Sequence, residues 1–395
     1  MENRYDKYKD SGVEWIGEIP EHWKITKIQY LAQLKSGYSL TTEEITDNGL
    51  YPVYGGNGIR GYYDKYFLEG DYVLIGRQGA LCGNINYSTN KSWATEHAVV
   101  CYPKIKYVTR WFGELLRVMN LNQYSLAAAQ PGLAVERIKL LPIPIIPLPE
   151  QQSIAAYLDQ KCGEIDELIT LQEEMITKLQ SYKQSVITEA VTKGLDKNVP
   201  LKDSGIKWIG EIPEHWSIIC LKRLCRISTG NQDTQDSIPD GKYPFFVRSP
   251  KVERSNNYIF EGPSILMAGD GVGAGKVFHL ADNKFACHQR VYCINQFSVI
   301  VNRIYLFYYM SSLFYNIIDS ANSKSTVDSV RLPMLAEFPV CIPLKYEQQS
   351  IADYLDQRCS EIDELISIKQ QKIEKLKEYK KSLIFECVTG KRKVS

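Results

Sequence analysis

Ten cysteines are spread along this 395-residue chain without a single C-x-x-C pair. That spacing leaves no zinc site of the usual kind and no redox dithiol, and the scatter reads as reduced thiols rather than a disulfide framework. No stretch reaches the roughly 18 apolar residues that would span a bilayer. The opening MENRYDKYKD is polar where a secretory signal would be apolar, so a soluble, cytoplasmic protein without a membrane partner is expected. Catalytic signatures are missing as well. G-x-S-x-G, H-E-x-x-H and the N/D-P-P-Y tetrapeptide of amino-methyltransferases do not occur, and the five histidines have no metal-ligand spacing. The segment GDGVGAGK (residues 269–276) fails as a phosphate loop. Asp270 stands where the first glycine belongs, and Val277 replaces the Ser or Thr that would hold magnesium. No paired carboxylates stand near a lysine as a nuclease would need, since the E-x-K at residues 378–380 falls in a helical stretch. The chain therefore reads as non-catalytic, with no metal and no cofactor of its own.

What is present is a duplication. DSGVEWIGEIPEHW at residues 10–23 returns as DSGIKWIGEIPEHW at residues 203–216, and EQQSIAAYLDQ from residue 150 returns as EQQSIADYLDQ from residue 347. The blocks between these phrases have diverged far more. Net charge is only +1, but residues 24–149 carry 13 basic and 9 acidic side chains and residues 217–346 carry 14 and 10. Each variable block is thus positive on a negative frame, the pattern of basic reading heads on an acidic scaffold.

Each half runs opening phrase, variable block, proline-rich exit, long helix. Alternate prolines in LLPIPIIPLPEQQ and FPVCIPLKYEQQ exclude helix and favour an extended edge. Beyond them, apolar residues recur at steps of three and four: Ile165, Leu168, Met175, Leu179, Tyr182 and Val186 in the first copy, and Ile362, Leu365, Ile373, Leu376, Tyr379 and Leu383 in the second. These form one stripe per helix. A lone amphipathic helix of roughly 60 Å, at about 1.5 Å per residue, would leave that stripe wet, so the two helices are expected to pack together. The expected fold is α+β: two mixed α/β domains joined by two long helices packed as an antiparallel coiled coil, with an internal pseudo-twofold repeat. The boundaries read as 1–149 for the first domain, 150–194 for the first helix, 195–346 for the linker, second phrase and second domain, and 347–390 for the second helix. A basic tail without fixed structure, 391–395, closes the chain. His22 and His215 occupy equivalent places in the repeated phrases, which favours a structural hydrogen bond or packing on Trp23 and Trp216.

The variable blocks alternate β-formers with glycine turns, and VLIGRQGALCGN aligns with ILMAGDGVGAGKV. Their loops interleave Arg, Lys, Asn and Gln with Gly and Tyr. The candidates for DNA contact are Ser36, Tyr38, Asn57, Arg60, Arg77, Gln78, Lys91 and His97 in the first block, and Asn231, Gln232, Arg248, Lys251, Arg254, Lys276, His288, Gln289 and Arg290 in the second. Arginine bonds guanine bidentately, Asn or Gln bonds adenine, and glycine amides approach phosphate.

The repeated phrases, the linker TKGLDKNVPLKDSGIKWIGEIPEHW (residues 192–216) and the two helix openings resemble, over the whole chain, the specificity subunit of type I restriction-modification systems. The resemblance implies two target-recognition domains, each reading one half of a split, asymmetric double-stranded DNA sequence, with the paired helices as spacer. It also implies docking of two methyltransferase subunits and of motor-nuclease subunits, with S-adenosylmethionine, ATP and Mg in those partners. The competing readings are a fused nuclease or NTPase and a coiled-coil adaptor without sequence preference.

Overall fold

A computed structural model describes residues 4–79, 81–125, 132–321 and 329–394. The backbone divides into two units, Met1–Gln172 with Gln371–Ser395, and Glu173–Gln370. Each is built on one plan.

In the first unit the opening phrase forms a hairpin, Tyr8–Asp10 against Glu18–Pro20. Its turn is held by local side chains: Asp10 accepts from the Gly12 N–H at 2.9 Å, and Ser11 Oγ accepts from the Val13 N–H at 3.1 Å. Such Asx and Ser turns are why D-S-G occurs where it does. The hairpin buries Ile19 and Trp23 completely. The second unit repeats it, with Leu201–Asp203 against Glu211–Pro213 and with Ile212 and Trp216 inside.

The proline-rich exits are extended. Pro142–Ile145 pairs antiparallel with Lys24–Lys27, and Pro339–Ile342 with Ser217–Cys220. Each head then carries two sheets. In the first head one sheet runs Ala32–Ser36, Ala98–Pro103, Val73–Gly76, Ile85–Tyr87 in spatial order, all antiparallel. The matching sheet of the second head is Arg226–Thr229, Val291–Asn295, Ser264–Ala268, Phe278–Ala281. Each head has a smaller sheet around a parallel pair, Tyr51–Gly55 with Lys91–Ala94 in one and Tyr243–Phe246 with Ala286–Cys287 in the other. This is the α+β repeat expected from the sequence.

The E-Q-Q that opens each long helix joins helix to head. Glu150 accepts from Tyr5 Oη, from Trp23 Nε1 at 3.2 Å, and pairs with His22 Nε2 at 3.1 Å. Glu347 pairs with His215 at 3.0 Å. Gln151 is buried, accepts from the Val108 N–H at 2.9 Å and donates to the Ile146 carbonyl at 2.9 Å. Gln348 does the same for Asn302 and Pro343. One residue type thereby satisfies two backbone groups that would otherwise be orphaned in the interior.

The long helices are Leu148–Lys193 and Lys345–Val388. Within the first unit, Ile154, Leu158, Cys162 and Ile165 share a core with Leu383, Ile384, Cys387 and Val388. Asp166 takes an ion pair from Lys380 at 2.6 Å. Residue numbers rise on one helix as they fall on the other, so the segments are antiparallel. In the second unit the equivalent pair is Lys183 to Asp363, also 2.6 Å, and Arg358 donates to Tyr182 Oη at 3.4 Å.

The buried column is not quite the expected stripe. Ile165, Ile362, Ile373 and Leu383 are buried, and Met175, Leu179, Val186 and Leu376 are half-buried. Leu168, Tyr182, Leu365 and Tyr379 are instead 43, 49, 48 and 51 % exposed. They form the adjacent column. The inward positions beside them are Ile169, Gln172, Ile176 and Lys183 on one helix and Ile366, Lys369, Ile373 and Lys380 on the other, where polar residues interrupt the apolar run. The basic tail is not loose either, as far as it is described. Lys391 bonds the Glu18 carbonyl and Arg392 bonds Glu386 at 2.9 Å, while Ser395 lies outside the described residues.

Candidate nucleic-acid interface

In the first head, a groove opens where the turn between Tyr51–Gly55 and Gly58–Tyr63 meets the glycine turn after Val73–Gly76. Asn57, Arg60, Gln78, Leu81 and His97 line it. Four of the sequence candidates are thus brought together. His97 Nδ1 bonds Gln78 Oε1 at 2.7 Å, and Asn84 donates to Asn57 Oδ1 at 2.5 Å. Arg77 donates to Ser36 Oγ at 3.1 Å, which ties the end of one sheet strand to the next turn. Gly37 is required beside them, because a Cβ there would stand 2.0 Å from the Ala94 carbonyl oxygen.

Two candidates stand elsewhere in that head. Lys91 holds its ammonium 4.7 Å from the centre of the Tyr66 ring, and hydrogen bonding to the tyrosine hydroxyl raises its pKa. Tyr38 is exposed but packs edge-on against Phe67, 4.8 Å between ring centres, in an aromatic group with Trp93 and Tyr63.

In the second head the charged residues are organised around Asp270, in the turn whose sequence fails as a phosphate loop. Arg248 reaches it at 3.1 Å and Arg290 at 3.7 Å. Nearby, Gln289 donates to Asp233 at 2.8 Å. A separate groove is lined by amides: Asn231, Gln232, Gln235, Asn256 and Asn257. Three of these were not candidates, although their density in the sequence was a usable signal. Lys251 is exposed beside Glu253, and Lys276 lies 4.1 Å over the Tyr315 ring.

Two candidates are engaged with the protein's own groups, His288 by burial and Arg254 through part of its guanidinium. His288 is 2 % exposed, its Nδ1 accepts the Arg290 N–H at 2.9 Å, and burial together with the Arg248 charge lowers its pKa. It shapes the loop rather than presenting an edge to DNA. Arg254 spends part of its guanidinium on the carbonyls of Gly241 and Lys242, at 2.9 and 3.2 Å. The histidines His97 and His288, each standing just before a strand, are not equivalent. Ala94 and Cys287 hold the same place in the parallel pairs, so Thr95 matches His288 and His97 matches Arg290.

Among the described residues there is no cluster of three or more His, Cys, Asp or Glu side chains suited to a metal ion, and no helix is long and apolar enough to cross a membrane.

Comparison with known proteins gives a consistent answer. A family model described as the type I restriction modification DNA specificity domain matches twice, over residues 20–180 and 213–378. The specificity subunit of the Escherichia coli type I restriction enzyme EcoprrI is 36 % identical over 161 residues, 40 % of this chain and 40 % of that protein. The EcoDI specificity subunit of the same species is 25 % identical over 46 % of this chain and 39 % of its own length; the chain thus aligns with only about two fifths of these two relatives. The MjaVIII specificity subunit of Methanocaldococcus jannaschii is 24 % identical over 95 % of this chain and 94 % of its own length. A chain from a solved structure on complex assembly and conformational transition of the type I restriction-modification system covers 94 % of this chain and 98 % of its own, with a TM-score of 0.70 at 16 % identity, a likeness of fold.

Proposed function

The chain belongs to the type I restriction-modification DNA specificity family, and from that premise we propose that it reads a split, asymmetric DNA target, one half with each head. The observation that carries the reading is a contrast. The residues that hold the frame are kept in both copies: Trp23 and Trp216, Glu150 and Glu347, Gln151 and Gln348. The residues of the loops and grooves are not, with Asn57, Arg60, Gln78 and His97 in one head and the Asp270, Arg248 and Arg290 cluster and the amide-lined groove in the other. A frame held constant under changing contact residues suits recognition of two different sequences by one mode of docking. Backbone amides and lysines set the register on phosphate, and the groove residues choose the bases.

The long helices are the spacer and the docking surface in this reading. Leu168, Leu171 and Tyr182 stand exposed on the first, and Leu365, Ile368 and Tyr379 stand exposed at the corresponding places of the second. The same apolar surface offered twice fits two copies of one partner, the methyltransferase. Methylation takes an adenine out of the stack, and the partner supplies the pocket and S-adenosylmethionine; a motor-nuclease subunit with ATP and Mg completes the restriction complex. This chain's own part is to bind, orient and space.

The test is single-molecule mapping of N6-methyladenine in cells carrying this chain and its methyltransferase, against cells lacking the chain. A new split motif with a fixed gap is expected. A soluble complex that leaves no motif would replace the reading with a coiled-coil adaptor that has no sequence preference.

A further inference from the structure

The backbone ladders give a residue-by-residue register between the two heads at their most divergent point. The Arg77 N–H donates to the His97 carbonyl at 2.8 Å, and the Arg77 carbonyl accepts from Leu133 at 2.9 Å; the Gly269 N–H donates to the Arg290 carbonyl at 2.8 Å, and the Gly269 carbonyl accepts from Val330 at 2.8 Å. Arg77 therefore matches Gly269, Gln78 matches Asp270, and His97 matches Arg290. In both heads the two side chains of this matched pair meet. In the first they make a hydrogen bond, His97 Nδ1 to Gln78 Oε1 at 2.7 Å, with the Glu96 carboxylate 3.4 Å from His97 Nε2. In the second they are ionic, Asp270 to Arg290 at 3.7 Å, with Arg248 on the same carboxylate at 3.1 Å.

One carboxylate between two guanidiniums leaves a net positive charge; it hydrogen-bonds Arg248 and draws Arg290 in by charge, while both side chains stay exposed with N–H groups to spare. That is the donor geometry for the O6 and N7 acceptors of guanine; an amide braced by an imidazole suits the N6 and N7 of adenine. The turn that follows carries Val272 at its tip, 94 % exposed, which marks this edge of the head as open to a large ligand.

We infer that residues 78 and 97 in the first head and 270 and 290 in the second are one specificity position used twice. Gln78 selects adenine in the first half-site, and Asp270 is a positioning residue that aims Arg290 and Arg248 at a guanine in the second. The inference rests on the reading of the chain as a DNA specificity subunit.

Methylation mapping of the intact complex tests it, with wild type, Arg290→Gln, Asp270→Asn and Gln78→Ala. The wild-type motif is expected to hold a guanine in one half-site and an adenine read by Gln78 in the other. Arg290→Gln should weaken the guanine requirement about tenfold to a hundredfold. Asp270→Asn should relax the same position, and Gln78→Ala should relax one position of the other half-site only. In every variant the untouched half-site and the gap serve as the internal control of folding. Half-sites unchanged in all three variants, or both half-sites lost together, would overturn the assignment. A wild-type chain that directs no motif would instead remove the underlying reading.

Discussion

Glu150 shows how much one side chain can hold. It receives the indole N–H of fully buried Trp23, the Tyr5 hydroxyl and His22, so Glu150→Ala leaves a buried donor without a partner at a cost of about 1–3 kcal/mol. Its counterpart Glu347 holds His215 but not the indole of Trp216, which has no hydrogen-bond partner among the described residues. Glu347→Ala should therefore cost less. Denaturant midpoints of the two full-length variants check this, and equal losses would contradict it. Glu114 is a second case: it is buried in the helix Thr109–Val118 and takes Arg110, Arg117 and Tyr87 at 3.0, 3.0 and 2.9 Å. Arg110 keeps Asp159 at 2.8 Å and Arg117 keeps the Ile85 carbonyl at 3.1 Å, so Glu114→Ala should destabilise by about 1–3 kcal/mol rather than more. Acid sensitivity also belongs to this scale. Burial lowers the pKa of His279 and His288 below the ordinary 6.5. The groups facing His288 are Asp233, Arg248, Asp270 and Arg290, and the two carboxylates only partly offset burial. The unfolded chain binds these protons first, so the stability the two histidines contribute is complete above their ordinary pKa of about 6.5 and is lost as pH falls below it through their lowered folded-state values. Unfolding midpoints at pH 7.5 and 5.5 should differ less in His279→Asn/His288→Asn than in the parent.

At the scale of elements, the helix pairing turned on which of two neighbouring apolar columns faces inward. Leu168, Met175 and Tyr182 form one heptad column, and Ile165, Ile169, Ile176 and Leu179 form the other; hydropathy does not rank them, and Lys183 and Lys380 in the inner column disguise it. Packing decides, through Asp363 and Asp166, which hold those lysines. Such half-exposed pairs contribute at most about 1 kcal/mol, but a polar residue at an inward position sets register. Lys183→Leu with Lys380→Leu should raise the thermal midpoint while broadening the set of helix alignments seen by cross-linking; unchanged cross-links would refute the register role. The duplication and the two helices were legible because they repeat nearly identical residues, and the extended exits because alternate prolines exclude helix. The match of His97 to Arg290 was not, because a one-residue shift along a strand exchanges every facing side chain and no local pattern marks it. Arg254 and His288 share the composition of a reading loop, and only the distances to Gly241 and to Arg290 show where their hydrogen bonds are spent.

For the molecule as a whole, the asymmetry between the units is one of continuity. Glu173–Gln370 is a single stretch of chain, whereas the other unit needs Gln371–Ser395 to complete a core begun at its other end. Ile154, Leu158 and Cys162 find their partners in Leu383, Ile384 and Cys387. The order of synthesis is then the reverse of the order of closure. At about 5–20 residues per second, the first head waits roughly 10–40 s for its last segment while the second, begun later, closes ahead of it. Pulse proteolysis of ribosome-bound chains cut after residue 370 and carried on a linker long enough to clear the exit tunnel should find the later head resistant and the earlier one still open to cleavage.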